Sequence, residues 1–120
     1  MAAIEIPTEL QELAAAFITA RPRLGRNRIA LNRLAERRYA SGLCQTSSRV
    51  FARFCQARDV EAACSDWLSP RALGYDAPDV ATHCVCLVSL DDGTWIVDWT
   101  GAQYQAAEFP RIFLPGPETL

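Results

Sequence analysis

The first apolar positions recur with a helical period. Across residues 8–20, Leu10, Leu13, Ala14, Phe17 and Ile18 fall at i, i+3, i+4, i+7 and i+8, which gathers them on one face of a helix. Thr8 and Gln11 have the spacing of a capping box behind Pro7, and Arg21-Pro22 should end the helix. A turn through Leu24-Gly25-Arg26 then leads to a second predicted helix over 27–39. It carries Leu31, Leu34 and Ala35 on one side and Arg26, Arg33 and Arg37 mostly outside. Ser41-Gly42 breaks it. A third helix is predicted over 43–57, where Val50, Phe51, Phe54 and Cys55 form a stripe at i, i+1, i+4 and i+5, and this should be the buried helix.

Beyond Asp59 the period changes. Residues 60–68, 82–90 and 94–100 are short, β-branched or aromatic, and partly alternating, which predicts strands. The Pro, Gly and Asp residues of 69–79 predict a surface loop without regular structure, placed to flank a cleft. Asp91-Asp92-Gly93 is a hairpin signal, because Asp-Gly accepts the positive φ angles of a tight type I′ turn. The prolines after Phe109 favour an extended wrap over another helix. Helices first and strands second is an α+β order, and 120 residues is the size of one domain: a helical part over 1–40 and a core over 41–113.

Composition narrows the class. Half of the residues are hydrophobic and 22% are charged, the balance of a packed chain and not of a disordered one. No apolar run is long enough to span a bilayer, and the start of the chain lacks a signal peptide's basic and apolar regions. A cytoplasmic protein is expected, with delivery into another cell as an effector left open. All 12 basic residues are Arg, and residues 21–58 hold ten of them against the single acid Glu36, whereas 59–120 holds two against ten acids. The expected outcome is a solvated basic face that pairs with the acidic half, with nucleic acid an unfavoured partner because the nearby aromatics read as core.

Five cysteines cannot form a complete disulfide set, so free thiols are expected, with Cys55, Cys64 and at least one of Cys84 and Cys86 acting as small buried hydrophobes. Cys44 differs, because it falls at the start of the third helix, where the helix dipole and unsatisfied amides favour a thiolate. His83 is the only histidine. It begins a predicted strand, and Asp98 lies on that strand's hairpin partner. A thiolate can attack a carbonyl carbon, an imidazole can shuttle the proton, and a carboxylate can hold the imidazole's tautomer. A two-residue Asp92-Gly93 turn would pair Asp91 with Thr94 and put His83 and Asp98 on one face, four residues out of step; a three-residue loop would separate them. A zinc site is not expected: strand alternation sends His83 and Cys84 to opposite faces, and no second His or Cys-x-x-Cys pair completes a ligand set.

The segments Gly42-Leu43-Cys44-Gln45-Thr46-Ser47-Ser48, His83-Cys84-Val85-Cys86-Leu87-Val88 and Gly93-Thr94-Trp95-Ile96-Val97-Asp98 together resemble the core of the transglutaminase-like branch of the papain-like cysteine enzymes. The stretch from Asp98 to Tyr104 is similar to an Asp-x-Thr-x-x-Gln-aromatic pattern in small bacterial and phage members. The resemblance implies a papain-like α+β fold in which the cysteine opens a central helix and the histidine and aspartate sit on adjacent strands. It also implies a Cys44-His83-Asp98 triad acting on peptide or side-chain amide bonds as a peptidase, deamidase or transglutaminase, with no cofactor and no metal. Gln45, Trp99, Thr100 and Gln103 are supporting or substrate-binding candidates. A protein or peptide substrate is the expected partner, a membrane is not, and an inactive binding module is the alternative.

Overall fold

The computed structural model describes residues 5–78 and 81–116, so the predicted surroundings of residues 79 and 80 and the last four residues lie outside what is described. Helix α1 (Thr8–Thr19) buries Leu10, Leu13, Ala14 and Phe17, the face its periodicity predicts. The capping box does not form. Pro7 occupies the cap position without a side-chain bond, and Gln11 Nε2 instead donates to the Ile6 carbonyl oxygen at 2.8 Å.

The predicted 27–39 helix is replaced by smaller pieces. Strands β1 (Arg23–Leu24) and β2 (Ile29–Ala30) pair antiparallel, and a 3-10 turn (Leu31–Ala35) and one turn of helix, α2 (Arg37–Ala40), follow. Gly25 at φ 71° and Arg28 at φ 51° bend the chain back on itself where a helix needs negative φ. Leu31 and Leu34 are buried all the same, since residues three apart stack in a 3-10 turn as they do in a helix, but Ala35 is exposed.

Helix α3 (Cys44–Gln56) is the buried helix expected, although Ser47, Ser48 and Ala52 join Phe51 and Cys55 on its hidden face while Val50 and Phe54 are half-buried. It lies against an antiparallel meander of β3 (Glu61–Leu68), β4 (His83–Leu90), β5 (Gly93–Asp98) and β6 (Arg111–Phe113), in that order across the sheet. The described part of the stretch after Phe109 is therefore extended at Arg111–Phe113, where it supplies a fourth strand, and residues 117–120 lie outside what is described. The result is an α+β architecture with two antiparallel sheets.

Both faces of the sheet are covered. On one, Phe17 of α1 and Phe51 of α3 close on Trp99, with ring centroids 5.0 to 5.2 Å apart, and Cys86, Val88, Trp95 and Val97 complete the core. On the other, Leu73 and Tyr75 pack on Val85 and Ile96. Residues 69–78 hold only turns, as predicted, yet Pro70, Leu73 and Tyr75 are buried, so this segment is a lid on the sheet and not a surface loop. Its apolar side chains hide more area than its polar backbone would lose, since the turn closes through Leu73, Gly74 and Tyr75 amide bonds to Arg71 and Pro70 carbonyls. Covered on both sides, β4 is buried at every residue from His83 to Cys86.

The basic stretch pairs with the acidic half at Arg49 and Asp66, 3.6 Å apart, whereas Arg33 and Arg38 turn to Glu36 within their own segment. Arg58 lies over the Phe54 ring. Among the described residues no helix is long and apolar enough to cross a membrane.

Candidate active site

Gly42 has φ 86°, a left-handed conformation that glycine reaches without strain, and it turns the chain from α2 into α3 so that Cys44 becomes the first helical residue. The residue before it is Leu43, which has no side chain able to cap, and no side-chain cap bond closes the start of α3 among the described residues. Those N–H groups and the positive end of the helix dipole are left facing the Cys44 region. The neighbouring Gln45 donates to Asp66 at 3.1 Å, tying the start of α3 to β3. Asp66 also accepts from the Cys64 thiol at 3.1 Å, and these two bonds hold its carboxyl below the usual range. Gln45 is thus a brace of the site's frame.

Strand β3 is irregular here. Its pairing with β4 shifts between Ser65 and Leu68, and Trp67 takes φ 60° with 64% of its surface exposed. A bulge of this kind re-aims the residues of an edge strand. Trp67 stands in the open, whereas Leu68 returns to pair with His83.

The hairpin brings His83 and Asp98 together, by a turn one residue earlier than the one expected. Leu90 pairs with Gly93, so Asp91 and Asp92 form the turn. Neither Asp has positive φ, which rules out type I′; only Gly93 does, at 134°. A two-residue loop keeps the parity that puts both side chains on one face. The shift also moves Asp98 to the level of Val85 when the ladder is extended past the Cys86 and Val97 pair, two residues from His83 instead of four. His83 Nε2 lies 2.8 Å from Asp98 Oδ2, and both side chains are fully buried.

Asp98 carries further donors. The Thr100 N–H donates to Oδ1 at 2.9 Å and its hydroxyl to the same oxygen at 3.3 Å, while the Tyr75 hydroxyl donates to Oδ2 at 2.5 Å. Thr100 thus holds Asp98 through two donors, and Tyr75, from a segment whose composition predicts only a loop, is bonded to the same carboxylate. Its only signal was the alternation of Leu73 and Tyr75 within a Pro- and Gly-rich segment. Tyr104 stacks on Tyr75 with centroids 5.0 Å apart and meets the His83 ring edge-on at 5.0 Å.

With Nε2 committed to Asp98, Nδ1 is the imidazole nitrogen left for Cys44. It is buried with no hydrogen-bond partner among the described residues. Cys44 lies close enough for its charge and that of His83 to act on each other. Burial works to raise the Cys44 pKa, but the contact with His83, its charge and the Cys84 amide outweigh it, and the net direction is down. For His83, burial favours the neutral ring, yet Asp98 and Cys44 bring its pKa up to about 9. The other four thiols go the opposite way to Cys44. Burial pushes Cys55 up to about 11, Cys64 and Cys84 up to about 12, and Cys86 higher still. All five are free.

Of the remaining candidates, Trp99 is placed differently from expectation and Gln103 lies beside Tyr104. Trp99 is 1% exposed and packs among Phe17, Phe51 and Phe109, so it belongs to the core and lines no cleft. The alternation that sends Asp98 to one face sends Trp99 to the other. Gln103 donates to the Tyr104 hydroxyl at 3.2 Å and does not touch Asp98. Together with Arg37, Ser41, Asp76, Tyr104 and Gln105 it lines a cavity of about 420 Å³, which shares Tyr104 with the site. No family model, curated protein or solved structure matches the chain.

Proposed function

We propose that this protein is a cysteine-nucleophile hydrolase or acyltransferase with a papain-like, transglutaminase-like core, acting on peptide or side-chain amide bonds through Cys44, His83 and Asp98. The observation that carries this reading is the contrast among the cysteines: one thiol of five is held below its ordinary pKa, and it is the one coupled to an imidazole that a buried carboxylate orients. A structural thiol needs no such arrangement.

The chemistry follows from the geometry. The Cys44 thiolate attacks the carbonyl carbon, and the oxygen that gains charge is met by the uncapped amides at the start of α3. As the tetrahedral species collapses, the imidazolium proton of His83 passes to the leaving amine and a thioester remains on Cys44. Water or a second amine then attacks the thioester and His83 takes its proton, so that Cys44 departs as the thiolate beside the imidazolium and the starting pair is restored. Four donors surround the two oxygens of Asp98, and its bond to Nε2 fixes the His83 ring and leaves Nδ1 to serve the sulfur. The cavity shared through Tyr104 is the place for one side of the substrate, and its mixed polar lining suits a peptide.

The test is the alkylation rate of each cysteine against pH, read by peptide mass spectrometry, for wild type and His83→Ala. Cys44 should react below neutral pH while the other four stay slow, and His83→Ala should slow it at pH 6 by about tenfold or more. A Cys44 that titrates as an ordinary thiol would remove the basis of the proposal.

A further inference from the structure

Asp98 has one more strong donor than orienting a histidine requires. Thr100 serves Oδ1 with two donors, but Oδ2 is shared between His83 Nε2 at 2.8 Å and the Tyr75 hydroxyl at 2.5 Å. Tyr75 does not belong to the sheet that carries His83 and Asp98. It comes from the segment between β3 and β4 and is held by separate contacts: Tyr104 stacked on its ring, the Arg111 guanidinium 4.8 Å from its centroid, and the Arg111 bond of 2.7 Å to the Leu73 carbonyl. Gly101 leaves the space into which the hydroxyl fits, since a β-carbon there would come within 2.8 Å of it. Several elements thus combine to aim one phenol at the oxygen that holds the histidine.

A hydroxyl donating to a carboxylate oxygen draws off part of its negative charge, so less remains for a second donor on the same atom. Tyr75 and His83 compete for Oδ2. The groups that set the charge on His83 are then Asp98 from β5, Cys44 from α3, Cys84 beside it in β4, Tyr104 from the turn after β5, and Tyr75 with Arg111 behind its ring. Of these, Tyr75 alone donates to the oxygen His83 uses.

We propose that Tyr75 is a positioning residue that acts through Asp98, limiting how tightly the carboxylate holds the imidazolium so that His83 sustains the Cys44 thiolate yet releases its proton to a leaving amine. This rests on the triad reading above. Burial and the adjacent Asp98 charge keep the phenol protonated, so it remains a donor throughout the range in which the pair works.

The single histidine makes the test direct. Protein labelled with 15N-histidine shows two ring resonances that report both the tautomer and the titration midpoint, measured in wild type and Tyr75→Phe with folding checked by circular dichroism. Removing the phenol should raise the His83 titration midpoint, making the imidazolium about three- to tenfold harder to deprotonate. The proton should stay on Nε2. An unchanged or lower midpoint in folded Tyr75→Phe would overturn the proposal. A second measurement keeps the Tyr75 hydroxyl: difluorotyrosine, a stronger donor, incorporated in a Tyr104→Phe background, should move the midpoint down relative to unfluorinated Tyr104→Phe, and no movement overturns the proposal even if Tyr75→Phe fails to fold. The two readings fail separately, because an ordinary Cys44 in wild type sinks the triad, whereas a His83 midpoint indifferent to the phenol sinks only the role of Tyr75.

Discussion

A β-carbon placed on Gly101 would stand 2.8 Å from the hydroxyl oxygen of Tyr75 and 3.0 Å from the Ala106 β-carbon. The φ of Gly101 lies outside the left-handed region, so the position needs the missing side chain and not backbone freedom. Gly101→Ala should destabilise the protein by about 1–3 kcal/mol through overpacking. In a Tyr75→Phe background the same change should cost less, because the nearer clashing atom has gone. Urea unfolding of the four proteins in this cycle gives the coupling directly, and additive effects would show that the hydroxyl does not occupy this space.

Asp98 is buried, and its charge is what makes the imidazolium stable. Asp98→Asn keeps the shape but removes the charge and gives an amide that cannot accept from all four donors. His83 should then titrate well below about 9, and Cys44 alkylation at pH 6 should fall by about tenfold or more. The unfolding free energy should fall by about 1–3 kcal/mol from donors left unsatisfied. Retention of fast alkylation would mean that Asp98 has no part in activating Cys44.

The pH dependence of stability should expose the ion pair by a cancellation. The folded pKa of His83 is raised from 6.5 to about 9, so its contribution is fully present below 6.5 and lost as pH rises through 9. The folded pKa of Cys44 is lowered from 9.0, so its contribution is present above 9 and lost as pH falls through the folded value. Between 6.5 and 9 the histidine contribution falls while the cysteine contribution grows, so the two slopes oppose each other. Cys44→Ala removes the opposing slope, so this variant should lose stability relative to wild type as pH rises from 6.5 to 9, by on the order of 1 kcal/mol because Cys44 also helps hold the His83 pKa up. Parallel curves for the two proteins would exclude a thiolate partner.

Phe51 is fully buried and meets Phe17 and Trp99 at 5.0 and 5.2 Å, which makes it the main anchor of α3. Phe51→Ala should cost about 3–5 kcal/mol in chemical denaturation. Amide exchange should speed up along α3 before it does in β4 and β5, since those strands keep their ladder. Loss of protection in α3 and the strands together would show that they open as one unit.

How much was legible in the sequence depended on whether a residue's role is local. The apolar period of α3 with Cys44 at its head, the three strands and the hairpin signal at Asp91-Asp92-Gly93 all follow from neighbours a few positions apart, and they bring Cys44, His83 and Asp98 together. The turn sits one residue earlier than expected, a two-residue change of pairing, because two Asp residues and a Gly offer two competing tight turns, and only the strands' packing chooses between them. Leu31 and Leu34 suggested a longer helix because a spacing of three suits a 3-10 turn equally well. Tyr75 was hidden for a different reason. Its partner is 23 residues away, and a Pro- and Gly-rich composition describes how a segment turns but not what it covers.

Because the carboxylate of Asp98 is surrounded by donors at fixed chain distances, the site can be written as a search string. Counting along the chain gives a tyrosine, seven residues, a histidine, fourteen residues, then Asp-x-Thr-Gly, preceded by a cysteine at the head of an amphipathic helix. Each letter stands for a contact: the phenol and imidazole on Oδ2, the threonine on Oδ1, the glycine as room for the phenol. Genomes can be scanned with this pattern where overall similarity finds nothing. Chains that keep the cysteine and histidine but exchange the glycine for a larger residue should also have exchanged the tyrosine, so the two positions should vary as a pair.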